Sequence, residues 1–398
     1  MGTVHKLTIT CPLYCEDLIE RETEQWGLSV EKVHHGAVTI RGRLEDAYTV
    51  CLRSRIANRV LLPLFEFDAA DKAELMERIA DFPFGDHFTL DDTFAVDSQI
   101  SHTFFPNPNI ANLVVKDAVA DSFTRALGRR PNVDLDRPDI RLHLFLDGRK
   151  ATISLVLLRD RMFRRAFRKH GGAAPLKENV AAAILLRAGW PDVAAGGGAL
   201  IDLMCGSGTF LYEALLIAGG IAPGVRPNAE GPGAWKGHDQ ALWRALVEQA
   251  AEERRAALSG KLPLIMGYDI EDEALRNAKE NLHEADLLRH IHVSRSDFRK
   301  VKAPGGGVTT GLVVANPPYG KRLGGGTDLV RLYSDLGLSL STKFQGYRAA
   351  VLAGDKSLAR AIGLRAEKLH TIYNGPIRCT IAHFVLSPGN RYRPPEIK

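Results

Sequence analysis

The stretch Ala199-Leu-Ile-Asp202-Leu-Met-Cys205-Gly206-Ser-Gly208-Thr209 decides the fold class. Ala199 to Leu203 read as a short buried strand, the two glycines as a tight turn, and the apolar run from Thr209 as a helix. The same grammar recurs downstream. Strands are expected at Leu264 to Tyr268, Ile291 to Ser294, Leu312 to Ala315 and Ala349 to Ala353, with a helix over Asp272 to Ala285. Alternation of this kind predicts a mostly parallel, doubly wound α/β sheet.

Upstream the pattern is different. From Leu7 to about Leu61 it gives a strand, an amphipathic helix (Leu18 to Trp26), short strands around Val33 and at Val38 to Ile40, and a helix near Ala47 to Ile56. A second α+β unit follows, with strands at Thr93 to Ile100, Asp139 to Leu146 and Ala151 to Leu158 and a long helix from Asn109 to Leu127. A basic stretch, Arg159 to His170, then leads through Gly171-Gly172 to a helix opened by Pro175. Three domains are expected, at residues 1–61, 62–160 and 161–398.

The 398 residues suffice for two or three domains, and 45% hydrophobic with 25% charged residues fits a soluble globular chain. The apolar run from Ala199 to Gly224 is interrupted by Asp202 and Glu213, so no membrane span is expected. The first residues lack the apolar run of a signal peptide, and a cytoplasmic location follows as the expectation. Five scattered cysteines give neither a disulfide framework nor paired zinc spacing; reduced thiols and no metal are expected. Net charge is only +5, but Arg159, Arg161, Arg164, Arg165, Arg168 and Lys169 stand against Asp160 alone in a basic patch suited to a polyanion or to a solvated linker. On or just past the long helix, Lys116, Arg129 and Arg130 are further candidates for phosphate contact.

In a doubly wound sheet, ligands gather outside the carboxyl ends of the strands. Here those ends carry Asp202, Asp269, Asp297 and Asn316. The glycine-rich loop lacks the third glycine of a dinucleotide fingerprint, and Asp202 would repel a pyrophosphate. A cationic, phosphate-free cofactor suits it better, and S-adenosylmethionine has that character. Asp202, Cys205, Gly206, Gly208 and Asn316 would line it, Asp269 would accept from its ribose hydroxyls and Asp297 from its adenine amine. Each Asp taken singly reads equally well as a helix cap or turn residue.

Asn316-Pro317-Pro318-Tyr319 is the sharpest motif. Two prolines stiffen the turn, so the Asn316 amide oxygen and the Pro317 carbonyl can both accept from one planar NH2 group. Tyr319 offers a ring on which a base can stack.

Taken together, these residues resemble the class I methyltransferases that use S-adenosylmethionine and carry an N-terminal THUMP domain. The chain is most similar to the amino-terminal, guanine-N2 half of the bifunctional bacterial large-subunit ribosomal RNA methyltransferases. The resemblance runs through Asn58-Arg59, Leu61-Leu62-Pro63, Val115 to Ala118, Arg130 to Asp134, Arg137 to Arg141, Ala174 to Glu178, Met204 to Thr209, His238-Asp239, Asn316 to Gly320, Leu364 to Ala366 and Asn374 to Pro376. It implies a ferredoxin-like first domain, a THUMP RNA-binding second domain and a Rossmann-like catalytic third. It also implies RNA, large-subunit ribosomal RNA or its assembly precursor, as partner, while oligomeric state stays open. Asp269 stands far beyond the roughly 20 residues usual in dinucleotide folds, because of an insertion from about Gly219 to Leu262 whose Trp235, His238 and Trp243 line a substrate wall or pack in a core. The second methyltransferase half is not in this sequence, so one reaction is expected.

That reaction is in-line methyl transfer to N2 of a guanine, driven by positioning rather than by metal or a covalent intermediate. A transfer-RNA guanine-N2 methyltransferase, a DNA adenine methyltransferase, a protein glutamine methyltransferase and a noncatalytic RNA-binding assembly factor are the alternatives.

Overall fold

The computed structural model describes residues 3–165, 176–225, 231–319 and 326–395. They form two compact units: Met1–Cys11, Ile19–Met162 and Pro227–Glu248 in one, and Pro12–Leu18, Phe163–Arg226 and Gln249–Lys398 in the other. Pro227–Glu248 therefore groups with the amino-terminal part, although its place in the sequence put it in the third domain. Trp243 there meets Tyr48 edge-on at 5.3 Å, and His238 Nδ1 lies 2.7 Å from the Tyr48 hydroxyl. Trp235 and Trp243 are buried, so the core alternative holds for them.

The amino-terminal elements are β1 (His5–Thr10), α1 (Glu16–Gln25), β2 (Val30–His34), β3 (Ala37–Gly42), α2 (Leu44–Arg53), β4 (Arg59–Asp68), α3 (Lys72–Ala80), β5 (Phe94–Ser101), α4 (Pro108–Leu127), β6 (Ile140–Asp147) and β7 (Lys150–Val156), all in the first unit except the opening residues of α1. These strands make one seven-stranded sheet, ordered β2-β3-β1-β4-β7-β6-β5. The expected border between Leu61 and Leu62 falls inside β4, which pairs with β1 through Leu61↔Thr8 and with β7 from Leu61↔Val156 to Asp68↔Lys150. Pro63 has no N–H to give, and the β4–β7 register shifts between Pro63 and Phe65. In α4 the local signals agree with one another: Asn107 caps by accepting from Ile110 N at 3.1 Å, Pro108 opens the helix, and Gly128 closes it in the left-handed region at φ 70°.

The second sequence of elements is α5 (Glu178–Arg187), α6 (Trp190–Ala195), β8 (Ala199–Asp202), α7 (Thr209–Ala218), α8 (Gln240–Ser259), β9 (Ile265–Asp269), α9 (Asp272–Glu284), β10 (His292–Arg295), β11 (Gly311–Ala315), α10 (Gly326–Lys343), β12 (Arg348–Ala353), α11 (Lys356–Ala361), β13 (Lys368–Asn374) and β14 (Ile377–Val385). The sheet runs β10-β9-β8-β11-β12-β14-β13. Its first five strands are parallel, as the alternation predicts. β14 returns antiparallel between β12 and β13, a hairpin the sequence reading did not place. β8 and β11 are buried along their whole length, as strands covered on both faces must be. Tyr333, Leu336 and Leu340 of α10, with Phe344 just past its end, fill one side of this core against residues of β11, β12 and β14. Among the described residues no helix is long and apolar enough to cross a membrane.

Candidate active site

β8 and β11 are hydrogen-bonded neighbours that lead away to opposite sides of the sheet, which makes their carboxyl ends the switch point. Asp202 ends β8, paired in register with Val314, two positions before Asn316. Its side chain is 1% exposed. Oδ1 accepts from Met204 N at 3.2 Å, whereas Oδ2 has no hydrogen-bond partner among the described residues. Burial, reinforced by the negative charge of Asp269, pushes this carboxyl well above the usual range.

The loop beyond is built around two left-handed glycines, Gly206 at φ +52° and Gly208 at φ +87°. A Cβ on Gly206 would meet nothing within 4 Å, whereas one on Gly208 would lie 3.4 Å from Ala278 Cβ. Gly206 thus leaves its backbone open to a ligand, and Gly208 lets the loop pack on α9. Asn281, fully buried on α9, donates from Nδ2 to Ser207 O at 3.1 Å. Cys205 is an interior residue: burial first, then Asp202 and Asp269, raise its thiol pKa, which suits packing rather than nucleophilic chemistry.

Asp269 ends β9, and both its oxygens hold backbone N–H groups, Oδ2 that of Gly206 at 2.9 Å and Oδ1 that of Glu271 at 3.1 Å. A carboxylate carries about four acceptor positions, so room is left for two hydroxyls. Asp297 follows β10. It accepts from Arg299 N at 2.9 Å and is gripped by the Arg299 guanidinium, Nη2 to Oδ2 at 2.9 Å. That side-chain bond is the main reason its pKa is lowered. Asp297 therefore acts as a turn cap and as the partner of a guanidinium that meets both its oxygens.

After β11, the Asn316 amide Oδ1 is buried without a hydrogen-bond partner among the described residues, and Pro317 is buried. Tyr319 departs from expectation. It is 6% exposed, its Cβ would sit 2.7 Å from a Cβ on Gly354, and its hydroxyl accepts from Asn374 Nδ2 at 3.3 Å. Its ring is held among interior side chains here, rather than presented as a stacking face.

Asn374 also accepts from Lys177 N at 3.2 Å, joining the start of α5, the end of β13 and the Asn-Pro-Pro-Tyr loop. The sequence reading gave none of Gly267, Asn281, Lys177 or Asn374 a role. Their signal was present only as motif text around Lys177 and Asn374. A side chain at Gly267 would strike Leu211 Cδ1 at 2.4 Å.

The structure thus brings Asp202, Cys205, Gly206, Gly208, Asp269, Asp297 and the Asn316 loop to the carboxyl ends of four adjacent strands, β10-β9-β8-β11. The residues present fit S-adenosylmethionine. A desolvated, half-satisfied carboxylate at Asp202 answers a cation, open backbone at Gly206 admits close approach, and Asp269 supplies acceptors.

The basic candidates divide. Arg165 belongs to no surface patch: it is buried, with Nε on Glu213 Oε1 at 3.1 Å and both side chains almost fully enclosed. Arg164 and Arg129 are exposed. Lys116 pairs with Asp117 at 2.9 Å and Arg130 approaches Asp117 and Asp121 at 3.6 and 3.8 Å, surface pairs of small energetic weight. Arg168 and Lys169 lie outside the described residues, as does Gly320. No group of His, Cys, Asp and Glu able to hold a metal occurs among the described residues.

Residues 165–383 match the RMKL-like methyltransferase domain, residues 69–156 the THUMP domain and residues 6–61 the RlmL ferredoxin-like domain. The ribosomal RNA large subunit methyltransferase K/L of Syntrophotalea carbinolica is 45% identical over 95% of this chain and 53% of its own length. That of Methylococcus capsulatus is 45% identical over 97% of this chain and 52% of its own. The chain spans about half the length of these curated relatives. Among solved structures, SMU.472 in complex with SAH shares the fold over the full length of both chains, with a TM-score of 0.83 at 24% identity. With the matched domain covering more than half of the sequence, the chain belongs to the RMKL-like methyltransferase domain family, in its form carrying RlmL ferredoxin-like and THUMP domains.

Proposed function

We propose that the chain transfers a methyl group from S-adenosylmethionine to the exocyclic N2 of a guanine in large-subunit ribosomal RNA. The observation that carries this reading is the pair of buried oxygens without a hydrogen-bond partner among the described residues, Asp202 Oδ2 and Asn316 Oδ1, at the carboxyl ends of two hydrogen-bonded strands of one sheet. One calls for a cation and the other for an N–H donor. The names of the ribosomal RNA methyltransferase K/L relatives and the THUMP match support RNA as the substrate class.

When bound, S-adenosylmethionine supplies a methyl group activated by its sulfonium. Asp202 and the Gly206 backbone hold the donor's amino-acid end, Asp269 its ribose and Asp297 its adenine. Asn316 Oδ1, with the Pro317 carbonyl, accepts the N–H groups of the guanine amine and turns its nitrogen lone pair toward the methyl carbon. Orientation of this kind is worth about 7–11 kcal/mol of barrier, so no strong base is needed and the amine proton leaves to water. Extracting a base from a helix costs a few kcal/mol, which phosphate contacts by Lys116, Arg129, Arg130, Arg164 and Arg168 would offset.

The test is nucleoside analysis of protein-free large-subunit RNA incubated with the chain and S-adenosylmethionine. N2-methylguanine is expected, and its loss in a folded Asn316→Ala variant. Methylation of transfer RNA alone, of adenine or of a glutamine side chain, or no methylation at all, would overturn the reading.

A further inference from the structure

A cavity lies at the opposite end of the strands from Asp202 and Asn316. It measures ≈ 220 Å³ and is lined in part by Arg187, Arg348, Glu367, Lys368, His370 and His383. The register explains why they meet. Ala350 pairs with His383 and Lys368 pairs with His383, so Arg348, His383, Lys368 and His370 share one face of β12, β14 and β13. Arg348 also pairs with Leu312 near the start of β11, whereas Asn316 follows the end of that strand.

Arg187, in the last turn of α5, is set in place by Asp17 Oδ1 and the Tyr14 carbonyl, each at 2.6 Å from Nη2. Arg348 and Lys368 have no ion-pair partner among the described residues. His370 Nδ1 and His383 Nε2 stand 3.1 Å apart, so one ring donates to the other. Burial together with Arg187, Lys368 and, for His383, Arg348 lowers both rings to about 4, which leaves them neutral donors at pH 7. The opposing charges are Glu367 in the lining, Asp17 behind Arg187, and roughly half a negative charge at the end of α5.

We propose that this cavity is an anion site, separate from the methyl-transfer cleft, which takes a phosphoryl group between Arg348, Lys368 and the His370–His383 pair. A tetrahedral oxyanion matches the chemistry, with a guanidinium and an ammonium for its charge and an imidazole N–H for a further oxygen. The phosphoryl group comes from an RNA phosphodiester or from free phosphate. The inference stands independently of the methylated base.

The experiment uses the full chain with ring-labelled histidine, titrated with inorganic phosphate and followed by NMR. Saturable shifts of His370 and His383 are expected, with their titration midpoints raised by about one pH unit, as a nearby opposite charge requires. In the Arg348→Gln, Lys368→Gln double variant, whose altered side chains are exposed, the phosphate response should weaken at least ten-fold. Competition by a short single-stranded RNA assigns the site to backbone phosphate, and retained phosphate binding without competition assigns it to the free ion; either supports the proposal. It is overturned if neither phosphate nor RNA shifts these histidines saturably, if the double variant responds as the parent does, or if Asn316→Ala abolishes the response.

Discussion

The backbone N–H of Gly206 donates to Asp269 Oδ2 at 2.9 Å, pinning the loop that leaves β8 to the tip of β9. The carboxylate expected to hold the ribose is thus also the anchor of the loop expected to face the donor. Asp269→Ala removes both at once. Hydrogen bonds to a charged group are worth about 1.5–3 kcal/mol, so calorimetry should find S-adenosylmethionine binding weakened by roughly 10- to 150-fold. An unchanged affinity would remove Asp269 from the cofactor site.

Asp202 makes an opposite pair of predictions. Its raised pKa means that ionisation near neutral pH is a cost to the ligand-free fold. Asp202→Asn should therefore raise the melting temperature measured without donor at neutral pH. It should also lose about 2–5 kcal/mol of donor binding, since a desolvated charge would no longer meet its counter-ion. Thermal shift measured with and without S-adenosylmethionine reads both effects.

Asn316→Ala should separate binding from chemistry. Removing a donor or acceptor aimed at developing charge typically costs about 10²–10³ in rate. Single-turnover methylation is expected to slow by that factor, with donor affinity changed only a few-fold. A large loss of donor affinity with normal chemistry would instead make Asn316 a cofactor ligand.

The histidine pair sets an acid limit. Its folded pKa lies near 4, against an ordinary value of 6.5. The unfolded chain therefore binds more protons across that window, and the pair's contribution is complete above about pH 6.5 and lost as pH falls toward 4. Melting temperature should decline over this range, and a His383→Gln variant should flatten the decline.

Arg165 is predicted to act on stability rather than on RNA. Breaking a buried pair leaves an uncompensated charge, so Arg165→Ala should cost about 3–5 kcal/mol in denaturant unfolding. Arg130→Ala should leave stability nearly unchanged and reduce the salt dependence of RNA binding instead.

The strand ends were legible because each obeys a local rule: an apolar run, an acid or Asn, then a turn. The lines around Asp202, Asp269 and Asn316 needed no long-range information. What escaped depends on partners distant in sequence. Arg165 reads as one of six basic residues between Arg159 and Lys169, and its partner Glu213 lies 48 positions away on an apolar helix. Tyr319 reads as an exposed loop aromatic, yet Gly354 and Asn374 enclose it. Thr380 and His383 are buried polar residues within β14, which blurred the apolar signal of that strand. Pro63 interrupts the run that would have announced β4.

That 10-residue strand has a bearing on how the amino-terminal unit can be taken apart. Because β1 and β7 both draw on β4, scission between Leu61 and Leu62 would leave two raw sheet margins instead of two finished modules. The ferredoxin-like match ends at residue 61 and the THUMP match begins at residue 69, but β4 spans the interval, so physically they are halves of a single ribbon. Neither half should melt, or be transplanted, without taking the other with it.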